Sequence, residues 1–214
     1  MDWQKVEQEL DNSVKLVGHY GGDETHALSA WTSTEREIDE AKLKRRPQLL
    51  KFLAQNKHHT PFEKSYLHFL VTCDTASHIH ILKHRIGVSV NAESARYKEL
   101  KEDRWYKPAD WPEELKGMYV EIVDQLYMGY HYLLEQLVAS GMDRKRAKES
   151  ARFVLPYANQ LTLDVAFNFR SFMHFQELRN KPDAQLEIQQ IAKKMLKLVK
   201  ATGDFNESLT AFGY

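Results

Sequence analysis

The stretch LKHRIGVSVNAESARYKEL, residues 82–100, gathers Lys83, Arg85, Arg96, Lys98 and, when protonated, His84. Ser89, Asn91, Glu93 and Ser94 are interleaved with them, and Gly87 and Ala95 are small. Guanidinium forks match phosphate and carboxylate oxygens in pairs. A local site for a polyanion is therefore expected. Arg152, Arg170 and Arg179 add to it, each beside apolar residues in ARFVLP, FNFRSF and QELRN. An unpaired charge against a core costs several kcal/mol, roughly, so each needs an internal carboxylate or a bound anion.

Other candidate chemistries are weaker. His58, His59, His78, His80 and His84 cluster in sequence, and His80 and His84 have a spacing that chelates zinc on a helix. No HExxH and no further ligand set accompanies them, so no metal is expected and hydrogen bonding is the favoured role. Cys73 lies on the apolar face of a strand-like run beside Asp74, and reads as a small core residue. A thiol nucleophile needs a lowered pKa that nothing nearby supplies. Ser89 and Ser94 stand in no G-x-S-x-G setting. Neither G-x-x-x-x-G-K-[ST] nor G-x-G-x-x-G occurs, so a nucleotide would be held by arginines and backbone amides.

The elements that must position these residues come next. The chain has 214 residues, with 30 basic and 30 acidic side chains and a formal net charge of zero. No global field draws it to nucleic acid or an anionic membrane. It has no long apolar run, no leader-like start and one cysteine, so a cytoplasmic protein is expected. Val6, Leu10 and Val14 predict a helix within residues 2–16, ended by Gly18, Gly21 and Gly22. A second helical pattern ends near Lys57. KSYLHFLVTC alternates as a strand, and a helix from Thr75 carries His80, Lys83 and His84. A long helix is expected over about 112–140, then one capped by Asp143, a strand at LTLDVAFNF, a helix at RSFMHFQELR and a last helix from Pro182-Asp183. Helices and strands alternate irregularly, which fits a mixed α+β fold in a single domain over 1–214.

Four blocks together resemble a family, the flavin-dependent thymidylate synthases. The family's R-H-R, seven or eight residues, then S appears as Lys83-His84-Arg85, IGVSVNAE, then Ser94-Ala95-Arg96-Tyr97. HHTPFEK resembles its H-x-T-P-F-E-H, ARFVLP its A-R-x-x-L-P, and NFRSFMHFQELRNKPDAQLEIQ its last block. The resemblance spans about Ser33 to Gln190.

The resemblance implies reductive C5-methylation of dUMP to dTMP, with methylenetetrahydrofolate as carbon donor, bound FAD and NADPH as reductant. It implies no cysteine nucleophile, and a homotetramer with shared active sites. The implied fold is an α+β (mixed α/β) protomer with a central twisted, mainly antiparallel sheet flanked by helices. Carried over by position, Ser33, His58, Thr60, Lys83, His84, Arg85, Asn91, Asn168, Arg170 and His174 fall at FAD-binding places. His80, Lys83, Glu93, Ser94, Ala95, Arg96, Arg152 and Arg179 fall at dUMP-binding places. Arg179 is the implied catalytic cation that polarises the uracil. Three positions depart from the pattern: Lys83 replaces an arginine, His80 a usual glutamine, and one inserted residue puts Ala92 where a glutamate is usual, with Glu93 one step on. Methylation of another pyrimidine nucleotide such as UMP, or non-catalytic flavin or nucleotide binding, are the alternatives.

Overall fold

A computed structural model of the chain describes residues 11–34, 37–94 and 102–214. Four strands form one sheet: β1 (Ser13–Tyr20), β2 (Tyr66–Asp74), β3 (Val88–Ala92) and β4 (Gln160–Asn168), in the order β1-β2-β4-β3. The sheet is antiparallel, so the α+β expectation holds. Its helices are α1 (Asp23–Trp31), α2 (Glu40–Gln55), α3 (Thr75–Leu82), α4 (Glu113–Ala139), α5 (Arg144–Ala151), α6 (Phe169–Arg179), α7 (Leu186–Thr202) and α8 (Asn206–Ala211). Among the described residues, no helix is long and apolar enough to cross a membrane.

The expected first helix is corrected. Residues 1–10 lie outside the described residues, and Ser13–Tyr20 is strand. Val14, Leu16 and Gly18 are half-buried while Lys15, Val17 and His19 are exposed, a period of two. Val14, the one described residue of the four-residue spacing Val6, Leu10 and Val14, lies in β1. Gly18 continues the strand rather than breaking it. The helix expected from Pro182-Asp183 starts later, at Leu186, because residues 180–185 form a turn, and it is not the last, since α8 follows it.

Two compact units are built from these elements. The first takes residues 11–13, 72–79, 92–94 and 102–163. Its long α4 presents Val123, Tyr127, Tyr130 and Leu134 inward at steps of four, three and four. Tyr130 and Leu134 pack with Ala147 and Ala151 of α5, while Val123 and Tyr127 pack with Trp105. Asp143 caps α5 by accepting from the N–H groups of Lys145 and Arg146, as expected. Buried Asn12 and Asp74 exchange two hydrogen bonds, at 2.7 and 3.0 Å.

The second unit takes residues 14–34, 37–71, 80–91 and 164–214. Its centre is aromatic: Phe62, Phe169 and Phe205 are fully buried, each worth about 1.5–3 kcal/mol of burial. They surround His26, whose ring nitrogens meet Ser208 Oγ at 2.8 Å and Ser65 Oγ at 2.6 Å. The buried Asp23 carboxylate accepts the N–H groups of Glu207 and Ser208, capping α8 from a different helix. The α7 stripe Ile188, Ile191, Met195 and Val199 is buried, and α7 packs on α6.

Candidate active site

The first unit holds a cleft of about 280 Å³. Glu93, Ser94 and Arg152 line it with Thr75, Tyr157 and Asn159. Arg152 opens a short 3₁₀ turn where α5 ends, which holds its side chain at the cleft. The side chain is half-buried, and its guanidinium has no hydrogen-bond or ion-pair partner among the described residues. A guanidinium fork of this kind matches the oxygens of a phosphate or carboxylate. Thr75 fixes another part of the lining, donating its N–H to Tyr157 O at 2.9 Å and its hydroxyl to Asn159 O at 3.0 Å. Glu93 Oε2 accepts from Arg104 Nη2 and from the Thr162 N–H, both at 2.8 Å.

The second unit assembles a separate cluster of expected residues. His84 follows α3, where the helix gives way to a turn, and is buried. Arg179 ends α6, where a cation complements the helix dipole. Its Nε–H donates to His84 Nε2 at 3.1 Å. Burial, then the charges of Arg179, His174 and His80, push the His84 imidazole down to about 4. At neutral pH the ring is therefore uncharged with its proton on Nδ1, which leaves Nε2 free to accept. Burial also lowers the Arg179 pKa from its ordinary value. The His174 ring stands edge-on to His84 at 5.9 Å. His80 Nε2 meets Gln185 Oε1 at 3.1 Å.

Asn168 and Ser171 are spent on the chain itself. Asn168 Oδ1 caps α6 through the Ser171 N–H, and Ser171 Oγ donates to Ile86 O. Gly87 against them has φ of 65°, and an added Cβ would clash with the Asn168 amide and the Ser171 hydroxyl. The KHR segment is thereby tied to the start of α6. Lys83 and Arg85 are exposed and have no partner among the described residues. Arg170 is ion-paired with Glu63.

The remaining expected positions are spread out. Thr60 opens the 3₁₀ turn Thr60–Glu63 and is exposed. His58 is exposed beside Phe52. Ser33 follows α1 with its hydroxyl on Ala30 O, and Asn91 is exposed on β3. Ala95 and Arg96 lie outside the described residues. Cys73 is fully buried, and burial followed by Asp74 raises its thiol pKa. Such a thiol is not a nucleophile at neutral pH. Among the described residues no three His, Cys, Asp or Glu side chains converge as metal ligands.

Sequence reasoning missed Glu63, Gln185 and Arg104 as partners of site residues. Glu63 and Gln185 stand inside the quoted blocks HHTPFEK and AQLEI, which was the available signal. Arg104 carried none.

The profile of the family described as Thymidylate synthase complementing protein matches residues 15–202. The chain belongs to this family. Relatives in it carry the name flavin-dependent thymidylate synthase. The one from Streptomyces avermitilis is 29% identical over 213 residues, covering 86% of this chain and 85% of its own. That from Thermosipho melanesiensis is 32% identical over 221 residues, covering 94% and 91%. The flavin-dependent thymidylate synthase family also explains the fold. The solved UMP/dUMP methylase PolB from Streptomyces cacaoi, bound with 5-Br dUMP, superposes with a TM-score of 0.76 at 27% identity, covering 94% of each chain. Its structure with 5-Br UMP gives 0.74 at 27% identity and 95% of each. As a flavin-dependent thymidylate synthase family member, this chain is an enzyme of the methyltransferase kind.

Proposed function

We propose that the chain methylates C5 of a uridine 5′-monophosphate, with dUMP as the preferred substrate and dTMP as product. Methylenetetrahydrofolate supplies the carbon, FAD is the redox cofactor and NADPH the reductant. The observation that carries this reading is unpartnered Arg152 in a cleft beside Ser94. Arg152 receives the nucleotide phosphate, and the Ser94 hydroxyl adds a hydrogen bond. Arg179, held by neutral His84, faces the pyrimidine and stabilises its negative charge as C5 becomes nucleophilic.

The donor set of the second unit suits a flavin dinucleotide. Lys83 and Arg85 offer uncommitted cations to a diphosphate, and the Thr60 hydroxyl and His58 imidazole are exposed for further hydrogen bonds. When bound, the flavin supplies the reducing equivalents that complete the methyl group. The protein's part is to bind, orient and hold charge. Residues of more than one chain complete each site in a homotetramer, and the enzyme works in the cytoplasm.

Tritium release from [5-³H]dUMP and [5-³H]UMP tests the reading on FAD-reconstituted protein. Release from dUMP with the higher kcat/KM is expected, and the Cys73→Ala variant keeps most of it. Preference for UMP would establish the second reading, which the likeness to PolB, a UMP/dUMP methylase, supports as much as the first. No release from either nucleotide would reject both.

Arg152→Gln is expected to raise the nucleotide KM by roughly 10–100-fold, the loss of a charge-assisted hydrogen bond, with kcat less affected. Steady-state kinetics over a range of nucleotide concentrations checks it. An unchanged KM would remove Arg152 from the phosphate site.

A further inference from the structure

The wall of the cleft contains an apparent contradiction. Glu93 and Arg152 line the same cleft, and the reading above puts a nucleotide phosphate there. A carboxylate beside a phosphate repels it, and the walls of a cleft screen that repulsion poorly.

Arg104 resolves this. Its Nη2 donates to Glu93 Oε2 at 2.8 Å. The Thr162 N–H donates to the same oxygen at 2.8 Å, where β3 has ended and the side chain takes the place of a backbone acceptor. The Glu93 N–H in turn donates to Thr162 O at 2.9 Å. Arg104 is itself anchored. Its carbonyl accepts the Gln160 N–H at 2.9 Å and the hydroxyl of buried Tyr127 at 2.8 Å. Its Nε faces Glu102 Oε2 at 3.3 Å.

We propose that Arg104 is a positioning residue that holds and neutralises Glu93, so that the Arg152 cleft accepts a phosphorylated nucleotide. This rests on the cleft being the nucleotide site. Glu93 is then a compensated wall and not a direct substrate ligand. A glutamate that has shifted one step along the chain is tolerated there because Arg104 and Thr162 occupy it.

The test is dUMP and UMP binding by calorimetry on FAD-loaded enzyme, for the wild type and four variants. Arg104→Gln takes a cation away from the carboxylate and is expected to weaken dUMP binding on the order of tenfold or more. That deficit shrinks at high salt. Arg104→Lys keeps the charge and stays within about threefold of wild type. Glu93→Gln keeps an acceptor for the Thr162 amide, removes a negative charge from the cleft wall and tightens binding about threefold. The Arg104→Gln/Glu93→Gln pair returns to within about threefold of wild type, a reversal that a merely structural role would not produce.

A pair no tighter than Arg104→Gln alone, an Arg104→Gln variant that binds like wild type, or a weakened Glu93→Gln variant each overturns the proposal. If Arg104→Gln does not fold, Arg104→Lys and Glu93→Gln decide by the same criteria. Wild-type enzyme that binds neither dUMP nor UMP would instead remove the nucleotide-site reading, and this inference with it.

Discussion

Replacing Arg179 by lysine lowers nucleotide-dependent turnover by about 10²–10³ and leaves the flavin spectrum in place. The size follows from what lysine cannot do. Arg179 is fixed by donating its Nε–H to His84, and in the proposed site its terminal nitrogens are the donors assigned to the pyrimidine. Lysine keeps the charge on a flexible stem, with all its donors on one nitrogen, so none locks the stem while another faces the substrate. Its ammonium would satisfy either His84 or the pyrimidine, and not both in a fixed geometry. The expected signature is a fall in kcat with flavin content unchanged and NADPH oxidation still measurable without nucleotide. A variant that loses FAD, yet turns over dUMP normally once reconstituted, would make Arg179 a flavin ligand.

Acid destabilises the fold well before its carboxylates are neutralised. Burial pushes His26 down to about 4, and His84 also sits at about 4, against an ordinary 6.5. The unfolded chain therefore binds more protons than the folded one between about pH 6.5 and 4. Stability is full above that window and is lost as pH falls through it, by about 3 kcal/mol for each imidazole. His59 and His78, also lowered by burial, act in the same direction. Asp23 opposes them, since burial raises its carboxyl and favours the protonated folded state. Urea midpoints at pH 7.5, 5.5 and 4.5 check the slope. His26→Gln should flatten it, and a midpoint that does not move between pH 7.5 and 4.5 would contradict it.

Long elements with one clean period were legible in the sequence. The 27 residues of α4 and the alternation of β2 left little choice. Short elements were not. α1 and α8 have nine and six residues, and α8 takes its cap from Asp23 far away in sequence. β3 was hidden because its five residues sit among basic and polar neighbours. The same division holds at the candidate site. Arg152, Arg179 and His84 were legible through their motifs. Their pairings were not, because a contact such as Arg104–Glu93 or Arg170–Glu63 is decided by tertiary geometry.

The turn at Ile86–Gly87 has a consequence for how this sequence can change length. β3 is pinned to β4 at both ends, by the Asn168 N–H on Gly87 O and the Glu93 N–H on Thr162 O. Slack added between exposed Arg85 and Ile86 leaves the pairing of β3 with β4 in register. The same residue added within Val88–Ala92 would turn every following side chain to the opposite face of the sheet. The loop is thus the hinge point for insertion and deletion, and the ladder is a reading frame that allows neither.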